Sequence, residues 1–165
     1  MAFQLDVLIT LSVFDRLIDN DPRNSSEAAL TRAESLRRLR IAVRRDLEWL
    51  LNSRRIATPP DPALVELNRS AYVYGLPDVS SIRIGDKREQ LKLLASIEKS
   101  IQIFEPRLTD VRVIPLVDES KKSIQRLDFR IEGLLLMDPA PEHVSFDTTL
   151  DAVNQNYRIK SDGME

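Results

Sequence analysis

The hydrophobic pattern changes its period near residue 105, and this change restricts the fold more than any other feature. Up to Phe104 the long apolar stretches repeat at helical spacing, whereas from Val111 onward apolar and polar residues alternate. A period of 3.6 residues is typical of α-helices and a period of 2 of β-strands. Helices followed by a run of strands predict an α+β fold, with the helices on one face of a small, mostly antiparallel sheet.

Two long helices are predicted, after a short one that Ser12 caps and that runs to about Ile18. The first long helix runs from about Ser26, as its cap, to Asn52. Its apolar stripe is Leu36, Leu39, Val43, Leu47, Leu50 and Leu51. The second runs from about Lys87 to Phe104, with the stripe Leu91, Leu94, Ile97, Ile101 and Phe104. In the loop between them Gly75 permits a tight turn, and Tyr72, Tyr74 and Leu76 are expected to contact the core.

Four strands are predicted after the second helix, at 111–117, 124–136, 144–150 and 157–160. The second alternates most regularly, with Leu127, Phe129, Ile131 and Leu135 on the buried face. Pro115 cannot donate a ladder hydrogen bond, so the first strand is expected at an edge or a bulge. With 165 residues, we expect an arm at 1–11, one domain at 12–160 and a tail at 161–165.

Composition argues against several classes of function. The net charge of −2 predicts no strong attraction to nucleic acid or to an anionic membrane, we expect no direct membrane insertion, and no cysteine is present. We predict no cofactor and no metal site. The start of the chain lacks a basic leader and a long apolar run, which favours a cytoplasmic protein.

Catalytic motifs are scarce. His143 is the only histidine and follows a proline-rich turn, and the four glycines are not clustered. Glycoside hydrolysis needs two carboxyl groups at a defined separation, and Glu105 with Asp110 or Asp128 is the candidate pair. A hydrolase therefore remains the alternative function.

The segment "IFEPRLTDVRV" marks the change of period. Pro106 disfavours helical geometry at Glu105, so the helix is expected to end there. The rigid ring is expected to direct Glu105 and Arg107 outward. An acid at a helix C-terminus is unfavourable unless a base compensates it. That base is expected on a partner, inside the chain, or in both places, and the internal candidates are Arg44, Arg45 or another base that ties the joint to the long helix.

Several motifs together suggest a family. They are "LRIAVRRDLEWLLNSRR", "YGLPD", "FEPRL", "LDFRIEGLLL" and "VSFDTTLD". In this order they resemble the TssE family of type VI secretion baseplate subunits, which are phage-type baseplate wedge proteins long labelled lysozyme-like. The resemblance covers roughly residues 12–160.

The resemblance implies a structural role and a fold like the sheath-forming domain of contractile tails. It implies wedge subunits and sheath proteins as partners, with the central spike as a further candidate, in a cytoplasmic baseplate docked at the inner membrane. Glu105, Pro106 and Arg107 would be the partner-binding residues, and the sheath would add a strand to the Pro115 strand or to the last strand. A peptidoglycan-cleaving hydrolase and a generic adaptor with this fold are the alternatives.

Overall fold

A computed structural model describes residues 12–17, 31–79, 83–116, 125–138 and 140–160. The helices are α1 (Val13–Leu17), α2 (Arg32–Asn52) and α3 (Lys87–Phe104), with two 3-10 turns at Leu67–Arg69 and Ala71–Val73. The strands are β1 (Leu108–Pro115), β2 (Arg126–Leu135), β3 (Glu142–Asp151) and β4 (Asn156–Ile159). The α+β prediction is confirmed. The predicted arm, the tail and Ile18 lie outside the described residues.

The four strands form one antiparallel sheet in the order β1-β2-β3-β4. Each strand pairs with its neighbour in sequence, so β1 and β4 are the two edges. The prediction that the strand with Pro115 lies at an edge or a bulge is confirmed, because β1 is an edge strand. Between Thr109 and Arg112 the register of β1 shifts against β2, and Asp110 there has φ 50°.

One hydrophobic core joins α2 and α3 to the inner face of the sheet. Alternate residues of β2 are buried and the intervening ones are partly exposed, as predicted. Phe129 and Ile131 are fully buried, and so are Leu47 on α2 and Ile97 on α3. The sequence pattern therefore identified the buried face of each of these elements.

Two details of the helix predictions are wrong. α2 begins at Arg32 because the Thr31 hydroxyl accepts a hydrogen bond from the Glu34 backbone N–H at 3.3 Å; Ser26 lies outside the described residues. Leu91 is 61 % exposed, and its place against the core is taken by Leu93. At 3.6 residues per turn Leu91 lies about 120° around the helix from the buried Ile97, whereas Leu93 lies only about 40° from it.

The loop between α2 and α3 is fixed by Gly75. Its φ is +100°, and a Cβ there would lie 2.3 Å from the backbone oxygen of Ser53. The neighbouring Leu76 N–H donates to that same oxygen at 2.9 Å. Leu76 is buried and Tyr74 packs on the core, as predicted, but Tyr72 is exposed and Val73 is buried instead. In the 3-10 turn the side chains do not alternate as in an extended segment, and Val73 faces the core in place of Tyr72.

Candidate functional site: the joint between α3 and β1

The joint is a tight turn from Glu105 to Leu108. The Glu105 N–H completes the last turn of α3 by donating to the Ile101 oxygen at 2.8 Å. The Leu108 N–H then donates back to the Glu105 oxygen at 3.1 Å, with Pro106 at the second position of the turn, where its fixed φ fits. The prediction that α3 ends before Pro106 is confirmed.

The two charged side chains of the joint bind each other. Arg107 Nε donates to Glu105 Oε1 at 2.6 Å and Arg107 Nη2 donates to Glu105 Oε2 at 2.5 Å, a two-point guanidinium–carboxylate pair. The Glu105 side chain is 5 % exposed and that of Arg107 is 24 % exposed. The prediction that both point outward is wrong for Glu105, because its turn geometry places the carboxylate behind the guanidinium.

The same guanidinium connects the joint to the long helix. Arg107 Nη2 also donates to Asp46 Oδ2 on α2, at 2.6 Å. An internal bridge therefore exists, but through an acid of α2, and Glu105 takes its base from Arg107 rather than from Arg44 or Arg45. The Arg107 Nη1 atom is buried without a hydrogen-bond partner.

Asp46 extends the chain of charges toward α1. Its other oxygen accepts from Arg45 Nε at 2.9 Å and from Arg45 Nη2 at 2.8 Å. Arg45 Nη1 donates to Asp15 at 2.7 Å, and Asp15 accepts from the Ser12 hydroxyl at 2.5 Å. Carboxylates and guanidiniums thus alternate from Glu105 to Asp15. We call these five residues, Asp15, Arg45, Asp46, Glu105 and Arg107, the ion chain.

The pKa values in the ion chain follow these contacts. The hydrogen bond to Glu105 raises the pKa of Arg107, and that to Asp46 adds to it, although burial opposes both. Burial by itself would raise the pKa of Asp15, but hydrogen bonds from Ser12 and Arg45 outweigh it, so this pKa is lowered. Both groups are therefore held in their charged forms.

A cleft of about 420 Å³ opens beside the ion chain. Its apolar walls include Leu47 and Leu50 of α2 and the edge-to-face pair of Tyr74 and Phe104, with ring centroids 5.2 Å apart. Burial raises the pKa of Tyr74, and the negative charges of Asp46 and Glu105 act in the same direction.

Two apolar side chains stand at the rim of this cleft. Trp49 is 55 % exposed, and the Arg45 guanidinium lies 5.2 Å from the centre of its ring. Pro106 also lines the cleft and is exposed. An open cleft with apolar walls, fixed charges and an exposed aromatic rim is suited to protein docking.

Glu105 and Asp128, one of the two candidate carboxyl pairs of a hydrolase, are widely separated. Asp128 lies on the outer face of β2, and the far end of that strand reaches the joint, where the Leu136 N–H donates to the Arg107 oxygen. About eight residues at about 3.3 Å each separate Asp128 from that end, roughly 26 Å. Glycosidases need about 5–10 Å. Asp110 is exposed at the bulge, whereas both oxygens of Glu105 are bound by Arg107.

His143 lies exposed on β3, paired with Leu134, and takes no part in the joint. No group of histidine, cysteine and acidic side chains within the described residues could hold a metal ion. No helix in the described part of the chain is long and apolar enough to cross a membrane.

Sequence reasoning missed Asp15, Asp46 and Trp49. Asp46 and Trp49 lie in the "RRDLEW" block that contributes to the family resemblance, but the sequence pattern did not single out either of them as a site residue. The available signal was an acid directly after two arginines on a helix that has to pack beside Glu105.

Comparison with known proteins identifies the class. The sequence model of the family described as "Baseplate wedge protein gp25" matches residues 37–140. This range contains most of α2 and all of α3, the joint, β1 and β2, and it is more than half of the chain. The chain belongs to this family of baseplate wedge proteins, which confirms the resemblance drawn from its motifs.

One chain of a solved structure is also similar. It comes from "The baseplate complex from the type VI secretion system", at 16 % sequence identity and a TM-score of 0.46. The match covers 76 % of this chain and 97 % of that chain. No individual curated protein matches.

Proposed function

We propose that this chain is a structural subunit of a type VI secretion baseplate, without catalysis of its own. Family membership supports the baseplate role, and the motifs of the sequence favour the type VI form of the machine. Its partners in this proposal are the other wedge subunits and the sheath protein, with the central spike as a third. The baseplate lies in the cytoplasm, docked at the inner membrane, and residues 12–160 are the folding unit.

The geometry of the joint carries the proposal for wedge docking. Arg107 and Pro106 present a fixed surface at the cleft, and Trp49, which also lines it, is an exposed aromatic anchor. Glu105 and Asp46 hold the guanidinium from behind, so little side-chain freedom is lost when a partner binds. Aromatic residues and arginine are the residue types that most often dominate binding energy.

Within the partner-binding motif the three residues have different roles. Pro106 and the exposed part of Arg107 contact the partner directly. Glu105, with its side chain 5 % exposed, acts by positioning Arg107. A change at Glu105 or Arg107 therefore disturbs folding and docking together.

The docking test uses rim residues outside the ion chain. Trp49→Ala and Pro106→Ala should each reduce co-purification with the other wedge subunits at least fivefold. Leu91→Ala is the matched control, because Leu91 is equally exposed but lies on α3 outside the cleft lining. All three proteins should melt within a few degrees of the wild type. Normal wedge assembly by both rim variants would place the docking surface elsewhere.

The peptidoglycan hydrolase is the competing function. The separation of Glu105 from Asp128 disfavours it, and so do the bonds of Arg107 to both carboxylate oxygens of Glu105. Purified wild-type protein should release no soluble fragments from peptidoglycan beyond a no-protein control. Turnover that disappears in a folded Glu105→Gln protein would overturn the structural assignment.

Sheath templating forms the second part of the proposed role. Edge strands carry unpaired backbone groups that an incoming extended segment can complete. In this sheet β1 and β4 are the two edges, which are the two strands named by the sequence analysis.

A further inference from the structure

The outer edge of β1 offers few hydrogen-bond donors to an incoming strand. The Val113 N–H points away from β2 and donates to Glu98 Oε2 of α3 at 3.1 Å. Backbone groups of residues two apart point the same way along a strand, so the next outward position is Pro115, which has no N–H. At Val113 the outward N–H is therefore already bound by the Glu98 carboxylate, and at Pro115 there is no N–H to offer.

The outer edge of β4 is occupied in a different way. Asn52, the last residue of α2, donates from Nδ2 to the Tyr157 oxygen at 2.9 Å. The Tyr157 N–H donates to Asn52 Oδ1, also at 2.9 Å. One side-chain amide thus makes the same pair of bonds that the backbone of a neighbouring antiparallel strand would make.

The register of the sheet confirms that these bonds lie on the open side of β4. Arg158 pairs with Thr149 of β3, and the Lys160 N–H donates to the Asp147 oxygen at 2.8 Å. Arg158 and Lys160 therefore direct their backbone groups inward, and Tyr157 directs its own outward.

We propose that Asn52 is a replaceable substitute for a fifth strand, and that the sheath adds its strand at β4 rather than at β1. This inference rests on the proposed sheath-templating role and specifies its site. The occupant is an extended segment of the sheath protein, whose backbone N–H and C=O replace the Asn52 amide bond for bond.

At β4 an incoming strand replaces the hydrogen bonds that it removes, whereas at β1 it does not. Asn52 is exposed, and its Nδ2 already donates to the Glu48 oxygen of its own helix at 2.9 Å, so the released amide keeps a partner. The contact between Arg54 and Gln155 beside it has to open as well. At β1 an incoming strand would displace a carboxylate and still find no donor at Pro115.

Two residues on the outer face of the sheet allow a matched crosslinking test. Ile114 of β1 and Arg158 of β4 are both exposed, and their strand pairings place both on the face away from the helices. A photoreactive phenylalanine analogue is placed at each position in the full chain, which is then co-assembled with the wedge subunits and the sheath protein.

We expect sheath crosslinks from position 158 at least fivefold above those from position 114. Equal or stronger crosslinking from position 114 would overturn the choice of β4. Crosslinks from neither position, in assemblies that contain the wedge subunits, would instead remove sheath templating from the proposed function, and the inference with it. The two failures are therefore distinguishable.

The role of Asn52 is tested by Asn52→Ala. Removing the substitute should leave sheath capture unchanged or raise it, by up to about tenfold, since one net hydrogen bond corresponds to a factor of about 2–12. The Tyr157 amide should exchange with deuterium at least tenfold faster in the free subunit, and the Phe129 amide at its wild-type rate.

Asn68→Ala is the control for a lost asparagine, because Asn68 donates to two backbone oxygens in a loop away from the sheet edges. It should change neither sheath capture nor exchange at Tyr157. Capture below half of the wild-type value by a folded Asn52→Ala protein would show that Asn52 supports the added strand, and would overturn its role as a substitute.

Discussion

Two regions of the molecule contain arginine–carboxylate pairs with similar distances but different surroundings. In the ion chain Arg107 lies between Glu105 and Asp46, with bonds of 2.5–2.6 Å. On the outer face of the sheet Arg130 bonds to Asp147 at 2.6 and 3.2 Å. The side chains of Glu105 and Arg107 are 5 % and 24 % exposed, whereas those of Asp147 and Arg130 are 33 % and 40 % exposed.

The difference in exposure decides what each pair contributes. Water and salt screen the outer pair, so its strength is close to that of ordinary surface pairs. In the joint the charges have already lost much of their hydration, and removal of one partner leaves the other buried and uncompensated. The ion chain therefore fixes the geometry between α2, α3 and β1, while the outer pair has little influence on the fold.

The largest predicted effect is at Arg107. Arg107→Ala should lower the free energy of unfolding by about 3–5 kcal/mol, because it leaves Glu105 buried without a counter-charge. Urea denaturation of the purified subunit measures it. The double variant Glu105→Leu/Arg107→Met should recover part of this loss, because it removes both charges. No recovery, or a loss below about 1 kcal/mol for the single variant, would contradict the contrast between the two regions.

A smaller loss is expected at Arg45. Arg45→Ala removes the base shared by Asp15 and Asp46 and should cost about 1.5–3 kcal/mol, the range for hydrogen bonds to charged groups. Arg44→Ala, at the neighbouring position of α2, is the control and should cost less than about 0.5 kcal/mol. Equal losses of unfolding free energy for the two variants would mean that the bonds of Arg45 to Asp15 and Asp46 do not stabilise the fold.

Acid should weaken both regions in the same pH range. The pKa of Asp15 is lowered by its bonds to Ser12 and Arg45 against the effect of burial, and that of Asp147 is lowered chiefly by the Arg130 hydrogen bond. A lowered folded-state pKa gives stability that is present above the unfolded value, about 3.9, and is lost as the pH falls through the folded value.

Thermal unfolding between pH 2.5 and 6 tests this sign. The melting temperature should decrease below about pH 4, and Asp15→Asn should flatten the decrease more than Asp147→Asn does. A steeper decrease in Asp15→Asn than in the wild type would contradict the lowered pKa of Asp15 in the folded protein.

The smallest effect concerns the outer pair itself. A double-mutant cycle of Arg130→Ala and Asp147→Ala should give a coupling of about 0.2–1 kcal/mol, reduced further in 1 M salt. A coupling above about 2 kcal/mol would show that exposure does not separate the two regions.

Much of the fold followed from local patterns. The period of 2 in β2 identified its buried face, and Pro106 identified the end of α3, because each depends on neighbouring residues only. The start of α2 and the exposure of Leu91 and Tyr72 were not predictable in this way. They depend on which cap competes best and on how each element turns against the core.

The same distinction between local pattern and tertiary packing applies to the candidate site. The sequence alone determined that an acid, a proline and a base lie where the helical pattern ends and the strand pattern begins, and that the strand with Pro115 lies at an edge or a bulge. Only the tertiary structure decided that Glu105 turns inward, that Arg107 meets Asp46 61 positions away, and that Asn52 meets Tyr157 105 positions away. Local periodicity specifies the elements. Partners this distant in sequence meet only when the elements pack, and because a buried polar or charged group without a partner is costly, packing favours arrangements in which such groups pair.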